Sequence, residues 1–269
     1  MNAKNVITPT LNNKVIDCPI LIATSDSYLP MLKPFCYLFN EFWSPEQPVI
    51  FLGYKEPDFD LPDNYNFVSM GQQRGIKFWA EDIRNYLLTL DCDYFSYTAE
   101  DMFLSRPVNF ESFGDLLSVV KDLKPARFAI GNAVATQRCR GYSSLDSCDI
   151  VMQEQISNYR LSLTWSIWRK DYFMRHLHPN FSPWDFEIKG MPASMNDGED
   201  IVGCGNNFPL GHCNALQSGG NTSGFDFSNA ILNFQDVCSH PIPAMRSEVS
   251  VEHINKMVYL GLIGEKNKR

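Results

Sequence analysis

The sequence predicts an α/β protein in which a mainly parallel sheet is flanked by helices. Three observations predict this class: short apolar runs recur over residues 19–104, polar residues follow each run, and amphipathic helical patterns separate most of them. Such alternation is typical of βαβ units, whose strands lie parallel. The chain has 269 residues, of which 44% are hydrophobic, so it is long enough to bury a sizeable core.

The first strand and helix follow from the apolar pattern. Residues 19–24 form an apolar run that leads into Ser25 and Asp26, as expected of a strand that ends in a polar loop. Pro34 then fits a helix only in its first turn. That helix is indicated by large apolar residues at helical spacing: Leu32, Phe35, Cys36, Phe39, Phe42 and Trp43.

Residues 49–54 and 66–70 predict the second and third strands. A second helix is indicated by one apolar face: Trp79, Ile83, Tyr86, Leu87 and Leu90. An aromatic, β-prone run then ends at Glu100. The predicted order is therefore β-α-β-β-α-β.

The alternation weakens in the second half. Asn109 is expected to cap a helix, and residues 161–168 alternate as a strand does. Residues 136–150 and 190–224 are polar or rich in Gly and Asn, so both predict loops. A last helix is expected to end near Gly261. Since no linker or repeat interrupts the chain, the prediction is one domain over residues 1–269.

Charge and composition exclude several classes of protein. The net charge of −8 disfavours nucleic acid as the main partner, because phosphate binding requires clustered Lys and Arg. No apolar run is long enough to cross a bilayer, and residues 1–17 contain no signal-peptide core. We therefore expect a cytoplasmic protein with reduced cysteines.

The most informative residues are Glu100 and Asp101, which follow the aromatic strand. The carboxyl end of a strand in an open α/β sheet is where ligands bind. Carboxylate oxygens suit Mg²⁺ or Mn²⁺ that carries a diphosphate, because these ions retain waters and share other positions with phosphate oxygens. The alternative is a solvated acidic turn.

Taken in order, five segments resemble bacterial and viral glycosyltransferases of the GT-A type. They are Ile20–Asp26, Phe78–Leu90, Tyr97–Leu104, Leu161–Arg169 and Ser182–Glu187. The resemblance covers about residues 19–187 and rests on the order of the segments, since each one is weakly specific alone. It implies a GT-A fold, with a nucleotide-sugar-binding half over residues 19–104 and an acceptor half over residues 105–269.

The resemblance implies transfer of a sugar from a nucleotide-diphosphate donor to a hydroxyl acceptor. Asp101 takes the place of the metal ligand for Mn²⁺ or Mg²⁺, and Glu100 that of a ribose or outer-sphere partner. His240 is a further candidate metal ligand, as C-terminal histidines are in some of these enzymes. Ala99 departs from the family pattern, in which an acidic residue often begins this triplet, so metal-independent catalysis stays open.

Other residues are candidates for donor binding. Thr24 and Asp26 follow the first strand, where they could contact the ribose or the base, although Asp26 also suits a turn. Arg74 precedes the second helix and could contact the diphosphate. Trp79 could line the donor pocket or face the core.

On the acceptor side, Glu187 and Asp185 are the candidate general bases of an inverting reaction. If the segment is extended, both acids point to one face. Trp184 offers a surface on which a sugar could stack. A rival acidic cluster is formed by Asp197, Glu199 and Asp200.

Two other functions stay open. One is a nucleotide-sugar-binding or interaction module that has lost catalysis at Ala99. The other is a nucleotidyltransferase, although the loop after the first strand lacks the glycines that those enzymes usually have. The expected acceptor is a glycan or glycolipid precursor. A modified base in phage DNA is a second option, which the acidic balance disfavours.

Overall fold

The computed structural model describes residues 6–216, 232–234 and 248–269. The strands are β1 (Leu11–Asn12), β2 (Val15–Ile16), β3 (Ile20–Ala23), β4 (Val49–Gly53), β5 (Tyr65–Ser69), β6 (Tyr94–Ala99), β7 (Met102–Leu104), β8 (Arg127–Ala129), β9 (Cys139–Ser144), β10 (Asp149–Gln153), β11 (Ser166–Arg169), β12 (Ile201–Cys204) and β13 (His212–Asn214). The helices are α1 (Leu32–Phe42), α2 (Trp79–Thr89), α3 (Phe110–Leu123), α4 (Lys170–His176), α5 (Pro183–Lys189), α6 (Met191–Ser194) and α7 (Val251–Tyr259).

A nine-stranded sheet dominates the described part of the chain, in the order β5-β4-β3-β6-β11-β8-β12-β10-β9. Strands β5, β4, β3 and β6 are parallel neighbours, and β8 is parallel to β12. Only β11 and β10 run against the rest of this sheet. The predicted α/β class, with a mostly parallel sheet and flanking helices, is confirmed.

The sheet is buried on both faces. Helices α1 and α3 cover one face, where Phe35 and Phe39 stack near Trp165. Helices α2, α4 and α5 cover the other face, where Trp168 and Phe186 meet edge to face. Each buried side chain of this size stabilises the fold by about 1.5–3 kcal/mol, before the entropy cost of ordering it.

Local signals set the helix boundaries. Pro34 lies in the first turn of α1, as predicted. The Asn109 side chain accepts a hydrogen bond from the Ser112 amide and caps α3, and that helix ends at Lys124, whose φ of 48° is left-handed. Gly261, with a φ of 68°, follows the last helix. Cap residues therefore mark the start of α3 and the ends of α3 and α7.

Two predicted loops contain regular structure. Residues 136–150 include β9 and part of β10, which pair as a hairpin. Strand β9 lies at the edge of the sheet and is mostly exposed, so it lacks the apolar alternation that reveals a half-buried strand. Residues 190–224 contain α6, β12 and β13, each of only 3–4 residues. Elements this short carry too little periodicity to be recognised.

The strand predicted over residues 161–168 is shorter and later, since β11 begins at Ser166. Leu161 and Trp165 are apolar because both are buried in the core, not because they alternate along a strand. Residues 161–165 therefore form the approach to β11 at one edge of the sheet.

Candidate functional site

Parallel strands bring the predicted donor residues to one edge of the sheet. Ala23 in β3 lies opposite Ala99 in β6, and the Glu100 amide donates to the Ala23 carbonyl at 3.2 Å. The Thr24 amide donates to Leu52 in β4 at 2.8 Å. Thr24 and the acid pair therefore follow neighbouring strands at their carboxyl ends, where open α/β sheets bind ligands.

Glu100 and Asp101 have restricted access to water, since Glu100 is buried and Asp101 is half-buried. Glu100 is 7% exposed, and burial together with the charge of Asp101 raises its pKa well above the usual range. Burial raises the pKa of Asp101 to about 6. No Lys, Arg or His within the described ranges forms an ion pair with either carboxylate. The arrangement disfavours two bare negative charges and is suited to a cation from outside the chain.

Hydrogen bonds from other segments hold the backbone around this pair. The Ala215 amide donates to the Asp101 carbonyl at 2.7 Å, and the Trp165 indole donates to the Met102 carbonyl at 3.0 Å. Strand β13 also pairs with β7, directly after the turn. These bonds fix the position of the acidic turn through main-chain atoms, without occupying the two carboxylates.

Asp26 connects two loops at the same edge. Its carboxylate accepts a hydrogen bond from the Lys55 amide at 2.9 Å, and its own amide donates to the Gln73 side chain at 3.0 Å. Lys55 follows β4 and Gln73 follows β5. Asp26 therefore holds together the loops after three neighbouring strands.

Arg74 is placed by side chains that sequence reasoning missed. It donates to the buried Asp82 of α2, and its guanidinium lies 4.3 Å from the ring centroid of Phe78. The Tyr54 hydroxyl donates to the second Asp82 oxygen at 3.1 Å. Tyr54 follows β4 as Asp26 follows β3, so the rule that selected Asp26 could also have selected Tyr54.

Trp79 is a core residue that orders a hydroxyl. It is 5% exposed, packs edge to face on Phe186, and donates from its indole to the Tyr97 hydroxyl at 3.0 Å. Burial raises the pKa of Tyr97, and the charges of Glu100 and Glu187 raise it further. This buried hydroxyl of β6 therefore lies within electrostatic reach of both the acid pair and the acceptor side.

The segment with the candidate bases is helical, so the condition under which both acids would point to one face, an extended segment, is not met. Ser182 begins α5 with a capping box in which Asp185 accepts from the Ser182 amide at 3.1 Å. Asp185 also pairs with Lys189 at 2.6 Å. The Lys189 ammonium, with the Ser182 bonds, lowers the pKa of Asp185 to about 2. Its carboxylate is occupied in stabilising the helix start.

Glu187 is in a different environment. Its carboxylate accepts from the Leu163 amide at 2.6 Å, and Leu163 belongs to the approach to β11. Because Ser166 of β11 lies opposite Tyr97, this contact lies toward the carboxyl edge of β6. Burial raises the pKa of Glu187, while the Leu163 bond and Arg127 act in the opposite direction.

Trp184 and the rival acids have distinct positions. Trp184 on α5 is 58% exposed, so its ring face is open to a ligand. Asp197 pairs with the buried Arg160 at 3.0 Å, and Glu199 pairs with Arg169 at 2.8 Å and with Arg175 at 3.1 Å. Asp197 therefore joins its loop to the segment before β11, and Glu199 joins the same loop to β11 and α4. His240 lies outside the residues that the structure describes.

The acid pair is compatible with a divalent ion, although it offers only two carboxylates as ligands. Within the described ranges, no group of three or more His, Cys, Asp and Glu side chains could hold a metal. Mg²⁺ does not require such a cage, because it is often bound by one or two carboxylates together with water and substrate phosphate. Glu100 and Asp101 match that donor set.

Comparisons with known proteins find likeness in structure only. No family model and no curated protein matches the chain. One similar solved structure is residues 1–349 of TarS from S. aureus, 13% identical over 71% of this chain and 59% of that chain, with a TM-score of 0.43. The chain thus spans about three fifths of the length of that fragment.

Two more neighbours represent two classes of transferase. UDP-glucose pyrophosphorylase complexed with UDP-glucose is 8% identical over 73% of this chain and 92% of that chain, with a TM-score of 0.43. The galactosyltransferase LgtC, in complex with donor and acceptor sugar analogues, is 14% identical over 67% of each chain, with a TM-score of 0.36. The structural neighbours are GT-A-type glycosyltransferases and nucleotidyltransferases.

None of the helices in the described part of the chain combines the length and apolar character that crossing a bilayer requires.

Proposed function

We propose that the chain is a glycosyltransferase that moves a sugar from a nucleotide-diphosphate donor to a hydroxyl acceptor. One observation carries the proposal: the buried carboxylate of Glu100 and the half-buried carboxylate of Asp101 follow a central parallel strand, have raised pKa values and are offset by no cation of the described chain. Isolated buried charge of this kind is costly and is typical of functional sites.

Asp101, with Glu100 beside it, is the proposed holder of Mn²⁺ or Mg²⁺. Such an ion would supply Lewis-acid stabilisation of the negative charge that develops on the leaving diphosphate. Because both acids must be ionised to bind a cation, proton binding and metal binding compete at this site. His240 stays a proposed additional ligand.

The donor is proposed to lie across the carboxyl ends of β3, β4 and β6. Thr24 and Asp26 follow β3, and Asp26 also bonds the loop after β4, which suits contacts to a ribose or a base. Arg74 stands at the same group of loops, with its guanidinium oriented by Asp82 and Phe78. A guanidinium fixed in this way is suited to diphosphate oxygens.

Glu187 is the proposed general base of an inverting reaction. The acceptor O–H bond breaks as its proton moves to Glu187, the acceptor oxygen forms the new bond to the anomeric carbon, and the nucleoside diphosphate leaves with the electron pair of the old bond. Burial raises the pKa of Glu187, and a base is most effective when its pKa lies near the working pH. Asp185, whose pKa is about 2, is much weaker.

The acceptor is proposed to be a glycan or glycolipid precursor, with Trp184 as its stacking surface. Trp184 is on the same helix as Glu187 and is 58% exposed. An exposed indole next to a candidate base can hold a sugar ring by its apolar face.

A donor panel tests the proposal. Purified protein is incubated with nucleotide-diphosphate sugars, Mn²⁺ and a mixture of glycan acceptors, and the released products are identified. Release of nucleoside diphosphate that Asp101→Asn abolishes, and that Glu187→Gln lowers about 10²–10⁴-fold, supports the proposal. Release of pyrophosphate from a nucleoside triphosphate and a sugar phosphate indicates a nucleotidyltransferase instead. Donor binding without turnover indicates a binding module.

A further inference from the structure

Two arginines, Arg127 and Arg160, are fully buried, each 0% exposed. Their partners differ. Arg160 forms an ion pair with Asp197 at 3.0 Å and donates to the carbonyls of Ser194 and Glu199 at 2.6 and 2.7 Å. Arg127 has no carboxylate within ion-pair distance in the part of the chain that the structure describes. A buried charge without a counter-charge costs several kcal/mol, so Arg127 requires an explanation.

The position of the Arg127 guanidinium is fixed by hydrogen bonds and stacking. Its Nε donates to the Ser166 hydroxyl at 3.0 Å, and its Nη1 donates to the carbonyls of Tyr159 and Arg160, both at 3.2 Å. The guanidinium lies 5.1 Å from the ring centroid of Trp168. Its Nη2 has no hydrogen-bond partner among the described residues. A rigid cation therefore keeps one donor unused.

The backbone that Arg127 holds is itself unfavourable. Tyr159 has a φ of 54°, which is left-handed and uncommon for a residue with a large side chain. Arg127 accounts for this conformation in part, because its Nη1 bonds the Tyr159 carbonyl. Strain of this kind persists only where surrounding contacts impose it, and it often accompanies function. Arg127 thus joins the sheet to the segment that leads to Leu163.

Glu187 is the acid whose charge acts most strongly on Arg127. Burial lowers the pKa of Arg127 to about 10, and the Glu187 charge is the largest of the effects that oppose this. Arg127 therefore stays protonated at neutral pH. Burial raises the pKa of Glu187. Three groups lower it, and in order of decreasing effect they are the Leu163 amide, the Arg127 charge and the Ser162 hydroxyl.

Other charged or titratable groups also face this pair. Tyr172 of α4 and Arg160 act on Arg127 with opposite signs. Tyr97 of β6 is within electrostatic reach of Glu187. On α5 itself, Asp185 and Lys189 pair with each other. Among these groups Arg127 and Arg160 are the buried cations, but Arg160 has its own carboxylate partner.

We infer that Arg127 is a positioning residue for Glu187: its buried guanidinium bonds Tyr159, Arg160 and Ser166, which flank Leu163, and the Leu163 amide holds the Glu187 carboxylate. The inference rests on the proposed function for its catalytic meaning, but the coupling between the two side chains does not.

The coupling is tested without an activity assay. Protein with ¹³C-labelled glutamate carboxyl groups is titrated by NMR, and the Glu187 resonance is assigned as the one that disappears in Glu187→Gln. In Arg127→Met we expect the Glu187 pKa to rise by about one unit or more, a change of at least about tenfold in the proton-binding constant. Arg160→Met is the matched control, because it removes an equally buried arginine and should leave the Glu187 pKa nearly unchanged.

If Arg127→Met does not fold, Arg127→Gln carries the same test, since it removes the charge and retains some of the hydrogen bonding. An identical Glu187 titration in the parent and in the Arg127 variant overturns the inference, as does an equal rise in Arg160→Met.

The catalytic role has its own measurement. In the transfer assay, the acidic limb of the pH–rate profile should move upward with the NMR pKa in Arg127→Met and stay in place in Arg160→Met. An NMR shift without movement of the limb overturns the positioning role. If Glu187→Gln retains parental turnover, the proposed base is wrong instead, and the NMR result still decides whether the two side chains are coupled.

Discussion

Replacing Asp101 by Asn should stabilise the metal-free protein at neutral pH while removing its function. The folded-state pKa of Asp101 is raised to about 6, above the value of about 3.9 expected in an unfolded chain. The folded state therefore binds this proton more tightly. Protonated Asp101 contributes to the stability of the fold fully below about pH 4, and this contribution is lost as the pH rises through about 6. Asn resembles the protonated acid and does not undergo this loss.

The magnitude follows from the pKa difference. Two pKa units correspond to about 3 kcal/mol, and because Asp101 is only half-buried we expect about 1–3 kcal/mol. The Asp101 charge also helps to raise the pKa of Glu100. Removing that charge should make ionised Glu100 less costly, which also stabilises the variant at neutral pH. A change of 1 kcal/mol moves the melting temperature of a chain of this size by roughly 2–4 °C.

Thermal or urea unfolding in the presence of a chelator measures the effect at several pH values. The stabilities of Asp101→Asn and the parent should converge near about pH 4 and separate above about pH 6, with the variant more stable. Asp63→Asn, which replaces an exposed acid in the loop before β5, serves as the control and should follow the parent. In calorimetry, Mn²⁺ should increase the affinity of the parent for nucleoside diphosphate and not that of Asp101→Asn. A variant that is less stable than the parent at every pH would refute the assignment of Asp101 as a desolvated, unpaired acid.

Three further outcomes are expected. Tyr97→Phe leaves the buried Trp79 indole without its acceptor, so urea unfolding should show a loss of about 1–3 kcal/mol; a neutral result would mean that water replaces the hydroxyl. Ser182→Ala removes the cap of α5 and should cost about 0.5–2 kcal/mol, whereas equal stability would show that Pro183 alone sets the helix start. Arg74→Met should weaken nucleoside diphosphate binding, measured by calorimetry, much more than the control Arg84→Met, which changes an arginine on α2; equal effects would show that Arg74 is not part of the donor site.

Several parts of the site could be predicted because they depend on neighbouring residues in the sequence. Apolar runs interrupted by polar residues predicted β3, β4, β5 and β6, and parallel pairing then placed Thr24 and the acid pair at one edge. The cap at Asn109 could also be predicted, since the capping side chain bonds an amide only three residues further along the chain. Periodicity and capping are local, so a single sequence reports them.

The choice between Asp185 and Glu187 could not be predicted in this way. The two acids are separated by one residue, yet one completes a capping box and the other accepts from the amide of Leu163. The segment is not extended, because Ser182 caps a helix of seven residues that begins at Pro183. Only the turn of that helix directs the two carboxylates to different environments.

The α/β class and the acidic turn at the end of β6 could be predicted without a structure, because the spacing of apolar residues and the order of the strands can be read along the chain. Three facts become visible only in the folded protein: Arg127 is buried without an ion-pair partner among the described residues, Trp79 orients the Tyr97 hydroxyl, and Asp82 holds Arg74. Each of these facts depends on which segments meet across the sheet, and on the removal of water that makes a charge or a hydroxyl there energetically significant. Local sequence patterns show neither the contacts across the sheet nor the removal of water.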